Sequence, residues 1–164
     1  MSTVEIPRYE VGRVLVGPAR RLTLQRVTWY SMGQLGAATG EPYPFQDNIH
    51  TNPEYAKQQG LPGMIADGMH STNWIQSLLV DAFGVHFLET GALRTKFIKP
   101  VWVPSAITCK AEVTAVEPAG PGRTRYALSV WNEDAEGTQL TVGDASVVVD
   151  EAIADVIRER ALAG

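Results

Sequence analysis

The residues with the most chemistry in this sequence lie between Asp47 and Met69. They run Asp47-Asn48-Ile49-His50-Thr51-Asn52-Pro53-Glu54-Tyr55-Ala56 and then Gly63-Met64-Ile65-Ala66-Asp67-Gly68-Met69. His50 supplies a ring that takes and gives protons near neutrality. Gly68 opens a long apolar run, so Gly68, with Met69 after it, is the expected start of a buried helix. The first N–H groups of a helix are unpaired, and the helix dipole favours negative charge beside them. A base next to such a terminus suits proton transfer beside a carbonyl. A glycine at that point also lets a ligand approach the backbone closely.

The neighbouring polar residues each carry two readings. Asp47 can orient the imidazole, or hold or activate a water. Asp-Asn in a proline-rich loop is also ordinary turn chemistry. Asp67 is foremost a helix N-cap; turned into the pocket it would repel an oxyanion. His70 and Asn73 fall on the first turn of the helix and can face the same cavity, but packing or capping is the expected role. His86 lies past the helix end and is expected in solvent. Trp29, Tyr30, Tyr43, Phe45 and Trp74 could line a ligand pocket, although such aromatics more often serve a core. His50 and His70 lack helical metal-ligand spacing and Cys109 is the sole cysteine, so no metal is expected. No glycine-rich phosphate loop follows a strand, and no Gly-x-Ser-x-Gly elbow is present.

These residues must be held by elements the pattern predicts. Arg21 to Val27 alternates and reads as a strand. Thr28 is a candidate cap for a helix over Trp29 to Ala38, closed by Gly40. Pro42 and Pro44 exclude regular structure from Glu41 to Thr51. Asn52 followed by Pro53 is a strong helix start, and that short helix ends at Gly60. The next helix begins near Asp67 or Gly68 and runs to Phe83, with Gly84 as its stop. Its apolar residues spread over most of its circumference, which marks a buried helix. The remainder is strand-like. Ala92 to Lys99 is one strand, and Ile107 to Ala115 alternates cleanly. Ala119-Gly120-Pro121-Gly122 makes a hairpin connection, and Leu140 to Val149 is the last strand. Asp150 can cap a C-terminal helix over residues 151–162. The expected class is α+β: one domain over 1–164 with its core at about 20–150, an antiparallel sheet wrapping a long central helix.

Composition excludes several partners. The chain has 164 residues, 14 Lys and Arg against 18 Asp and Glu, and a net charge of -4. Length is sufficient for a core without disulfides or a metal. Arg20, Arg21 and Arg26 are the nearest thing to a basic cluster, which makes nucleic acid a poor partner. Cys109 permits no intrachain disulfide and reads as a small core residue. No apolar run spans a bilayer, and the N-terminus lacks the apolar stretch of a signal peptide. A soluble cytoplasmic protein is the expectation.

The order of these motifs resembles the MaoC-like family of the hot-dog fold, which contains the (R)-specific enoyl-thioester hydratases and dehydratases. That family's pattern runs Ser/Thr-Gly-Asp-x-Asn-Pro-x-His, then an Asp-Pro-containing helix, then Gly-x-x-x-Ala-His-Gly-Met. Here the matching residues are Thr39-Gly40, Asp47 to His50, Asn52-Pro53 with Ala56, and Gly63 to Met69. Lys96-Phe97-Ile98-Lys99-Pro100-Val101 and Gly143-Asp144-Ala145 match later strands. The likeness covers about Leu22 to Val149. It implies a hydratase or dehydratase of 2-enoyl or 3-hydroxyacyl thioesters, carried on coenzyme A or an acyl-carrier protein. It implies a homodimer, and no cofactor beyond the carrier in the substrate. His50 would be the acid or base, with Asp47 sharing the catalytic water, and Gly68 would polarise the thioester carbonyl. The family's catalytic Asp, five residues before its His, is here Phe45, and the family's His before the helix-start Gly is here Asp67. The acid is therefore relocated to Asp47, Asp67 or Glu41, or the chemistry has changed. A thioesterase, cyclase or isomerase, or a non-catalytic partner subunit of an active homologue, are the alternatives.

Overall fold

The computed structural model describes residues 8–40 and 47–153. Two short strands, β1 (Val14–Val16) and β2 (Arg20–Leu22), precede a helix, α1 (Leu24–Thr39). Three further helices follow: α2 (Pro53–Gln58), α3 (Gly68–Phe83) and α4 (Val85–Thr90). The chain closes with β3 (Ala92–Phe97), β4 (Ser105–Pro118), β5 (Arg123–Glu133) and β6 (Gln139–Asp150). The strands form one six-stranded antiparallel sheet in the order β1-β4-β5-β6-β3, with β2 also paired to β4. β1 and β2 pair with successive stretches of β4, and between them Gly17 donates its N–H to the Cys109 carbonyl at 2.9 Å.

The alternation of β4 and β5 explains how the sheet buries α3. Ile107, Cys109, Ala111 and Val113 face inward from β4, and Tyr126, Leu128 and Val130 from β5. From α3, Ile75, Leu78, Leu79 and Phe83 meet all of these but Ile107 in one cluster. A second cluster joins Leu22, Val27, Met64, Ala66, Val101, Ile107 and Leu140, beneath the start of α3. Cys109 is buried in the first cluster and its thiol is pushed up to about 11 by burial, so it is an inert core group.

The caps at Asn52 and Asp67 and the stop at Gly84 stand where the sequence places them. Three local expectations differ. The first helix begins a turn earlier, because Thr23 rather than Thr28 accepts the Arg26 N–H, and the strand before it ends at Leu22. The lead-in segment contributes β1. His86 is buried in α4 rather than solvated, because its Nδ1 accepts the Asp150 N–H at 3.3 Å and ties α4 to the end of β6. Thr90 repeats that tie, its hydroxyl donating to His86 O and accepting from Val148 N. Asp150 accepts the Ala152 N–H, as an N-cap would; the rest of the expected C-terminal helix lies outside the described residues.

Leu79 is fully buried between α3 and the sheet. Leu79→Ala should destabilise the fold by about 2–5 kcal/mol in urea denaturation, whereas Leu88→Ala, on the exposed side of α4, should cost no more than about 0.5 kcal/mol.

Candidate active site

His50 sits in a turn that the sequence builds from short polar side chains. The Asn48 side-chain oxygen accepts the His50 N–H at 2.7 Å, and the Thr51 hydroxyl accepts the Asn48 N–H at 2.9 Å. Such Asx turns rest on a side chain reaching its own backbone two residues on. The turn is then tied to the chain before α3. Ile65 N donates to the Ile49 carbonyl, and Ala66 N to the Val101 carbonyl at 2.8 Å.

The decisive contact is between the imidazole and the backbone. His50 Nδ1 lies 2.9 Å from the Ile65 carbonyl oxygen. A carbonyl only accepts, so Nδ1 carries the proton. In the neutral ring Nε2 is then the unprotonated nitrogen, the one able to take a proton. The ring thus enters any reaction with its basic nitrogen already assigned.

His50 lines a cavity of about 340 Å³ with Ile65, Gly68, Ser71, Phe97 and Thr141 among its walls. Gly68 is the first residue of α3, and its N–H makes no hydrogen bond among the described residues. The next donor is engaged: Met69 N donates to Asp67 Oδ1 at 2.8 Å, and the Met69 side chain is exposed. Asp67 therefore acts as the N-cap, and Gly68, a lining residue of the cavity, keeps an N–H without a partner among the described residues. Phe97 packs against that glycine, since a Cβ at Gly68 would stand 2.7 Å from its ring. Ser71 and Thr141 were not singled out in the sequence, and Phe97 entered only within the Lys96 to Val101 motif. Phe97 lies on β3, far along the chain, and only sheet pairing brings it over α3.

The other candidates separate from this cavity. Asp47 is exposed and makes no hydrogen bond or ion pair among the described residues. No carboxylate lines the His50 cavity among the described residues. Glu41, Tyr43 and Phe45 lie outside them. Asn73 is exposed and donates to the Tyr30 hydroxyl. Trp29, Tyr30 and Trp74 line a different cleft, with His70. His70 is only 2% exposed, its ring centroid 3.7 Å from that of Tyr30 and 5.6 Å from that of Trp74. Burial pushes it down to about 4 from 6.5, against the opposing charge of Asp67. Burial likewise lowers His86. Among the described residues no cluster of His, Cys, Asp and Glu is arranged to hold a metal, and no helix is long and apolar enough to cross a membrane.

A family profile described as "MaoC like domain" matches residues 37–132. Among solved structures, a MaoC-like dehydratase from Rhodospirillum rubrum superposes with a TM-score of 0.69 at 17% identity, over 87% of this chain and 93% of that one. The (R)-hydratase from A. caviae involved in PHA biosynthesis gives 0.63 at 21% identity, over 85% of this chain and 96% of that one. The HadBC 3R-hydroxyacyl-ACP dehydratase complex from Mycobacterium tuberculosis gives 0.58 at 13% identity, over 90% and 99%. No curated protein sequence matches the chain. At these identities the structural likeness speaks for the fold, an antiparallel sheet around a central helix.

Two measurements test this geometry. Gly68→Ala should cost about 1–3 kcal/mol through overpacking against Phe97. Adding Phe97→Ala should remove most of that increment in a double-mutant cycle of urea denaturations. The second concerns His70, whose folded-state proton affinity lies below its unfolded one. Its neutral form is therefore no burden above about pH 6.5, and stability falls as pH drops from there towards 4. The loss should be on the order of 3 kcal/mol, and His70→Gln should flatten that part of the profile.

Proposed function

Because the chain belongs to the MaoC-like domain family, we propose that it is a hydratase or dehydratase of 2-enoyl and 3-hydroxyacyl thioesters. The observation that carries this reading is the joint placement of the His50 ring and the Gly68 N–H in one cavity, with Nδ1 tied to the Ile65 carbonyl. In the hydration direction His50 Nε2 takes a proton from water as the water oxygen bonds to C3. The C2=C3 electron pair moves towards the thioester carbonyl, whose oxygen gains charge. The Gly68 N–H and the N-terminal end of α3 stabilise that charge. The imidazolium then returns its proton to C2, so the elements of water are added and the base is regenerated. Elimination is the same path reversed. No organic cofactor enters this scheme; coenzyme A or a carrier protein belongs to the substrate. Asp47 is the proposed carboxylate partner, acting across the loop from an exposed position. The protein is proposed to act in the cytoplasm as a homodimer, a state that would also cover the free edge at β3.

One observation favours a second reading. Among the described residues the walls of the His50 cavity include no acid. A lone imidazole beside a carbonyl-binding helix start equally serves thioester hydrolysis, isomerisation or cyclisation. A cavity of this kind also suits a subunit that partners an active homologue, an arrangement with a precedent in the two-component ChsH1-ChsH2 complex of Mycobacterium tuberculosis.

The test is hydration of crotonyl-CoA and longer trans-2-enoyl-CoAs, followed by loss of enoyl absorbance. His50→Ala should lower kcat/KM by about 10²–10⁴-fold. Asp47→Asn should cost less than about tenfold, because an exposed carboxylate is strongly screened. Absence of turnover at every chain length would overturn the hydratase reading, and release of free thiol in its place would establish a thioesterase.

A further inference from the structure

The chain has a second concavity, larger than the His50 cavity and on a different face of α3. Gly68 and Ser71, three residues apart, face the His50 cavity, whereas His70 and Trp74, four apart, face this cleft of about 860 Å³. Its other walls are Arg20 and Arg21 of β2 and Arg26, Trp29 and Tyr30 of α1. That composition is unlike an acyl pocket and unlike the rest of this acidic chain.

The three guanidinium groups stand without an ion-pair partner among the described residues, although Arg8, Lys57, Lys110 and Arg123 all have one. The first turn of α1, which carries Arg26, contains no acid. Arg20 and Arg26 are nevertheless held in place. Their guanidinium carbons stand 5.5 and 5.8 Å from the Trp74 ring centroid. Arg20 donates to the Ser77 hydroxyl at 3.1 Å, and Arg26 to the Arg21 carbonyl at 2.7 Å. The Arg21 side chain is exposed. Beside them Trp29 is 71% exposed, a large planar surface with nothing across most of it. At the cleft wall the His70 ring is buried against Tyr30 and Trp74.

Cations preorganised on an aromatic face beside an exposed indole suit a ligand that is polyanionic at one end and planar at the other. The volume is that of a small-molecule site. We propose that this cleft binds the phosphorylated adenosine end of a coenzyme A thioester, the phosphates against Arg20, Arg21 and Arg26 and the adenine on Trp29. The assignment rests on the thioester reading given above and narrows it to coenzyme A. An acidic carrier protein would also be drawn to arginines, but a concave wall of His70, Tyr30 and Trp74 fits a small ring system better than a convex protein surface.

The experiment uses adenosine 3′,5′-bisphosphate as the probe, with binding followed by calorimetry and by tryptophan fluorescence. Arg21→Glu retains the backbone carbonyl that holds Arg26, and Trp29→Leu alters an exposed side chain, so both should fold. Wild type should bind the probe with a change in tryptophan emission. Arg21→Glu should weaken it about tenfold or more, and Trp29→Leu should weaken it and diminish the emission change. In turnover assays Arg21→Glu should raise KM for crotonyl-CoA about tenfold more than KM for crotonyl-pantetheine, which lacks the nucleotide. Failure of wild type to bind the bisphosphate would overturn the proposal. So would an Arg21→Glu defect seen only with a thioester on an acyl-carrier protein, which would assign the cleft to protein docking. Should neither thioester turn over, the hydratase reading fails, while the bisphosphate titration still decides the cleft.

Discussion

The burial of α3 inside the curve of the sheet is the constraint from which the other features follow. A helix packed against five strands has no freedom to slide, so its N-terminus is a fixed point. The Asp67 cap satisfies one free donor at that end and leaves the Gly68 N–H to the cavity. The same helix separates the two concavities, because its first two turns show Gly68 and Ser71 to one and His70 and Trp74 to the other. Core packing and site geometry are therefore one problem in this fold. A cavity made by shortening a core residue of α3 would loosen the oxyanion-binding end along with the domain.

What could be read in the sequence was what local chemistry decides. Asn52-Pro53, Asp67-Gly68 and Gly84 mark helix ends through side-chain acceptors and special backbone conformations, and those signals act within a few residues. The strand over Ile107 to Ala115 was legible because its inward and outward residues alternate without exception. The choice between Thr23 and Thr28 was not decidable locally, since both are competent caps. Leu22 and Val27 settle it by burying in the cluster under α3, which requires the helix to start between them. His86 was misjudged for the same reason: its partner, the Asp150 N–H, is 64 residues away along the chain.

The candidate site was legible in part. His50 and Gly68 share a cavity because only a short stretch of chain separates them and Ile65 links them. The aromatic residues were grouped with the acyl pocket on spacing alone, whereas the sheet and α1 gather Trp29, Tyr30 and Trp74 around the arginines instead. Phe97 over Gly68 is a tertiary fact with no local signal. The carboxylate question has the same origin. Which acid reaches an imidazole depends on the path of a proline-rich loop, and proline restricts that path without specifying its destination.

The hydrogen bond from His50 to the Ile65 carbonyl has a consequence for how this family of sites can change length. The base is referenced to a residue just upstream of Gly68, not to the chain that leads into it. Proton-transfer group and carbonyl-binding donor therefore share one frame, and displacements of the preceding loop do not propagate into the distance between them. Residues can be gained or lost before Asn48 while that frame persists. Variation in the upstream loop is thus separable from the spacing of His50 and Gly68.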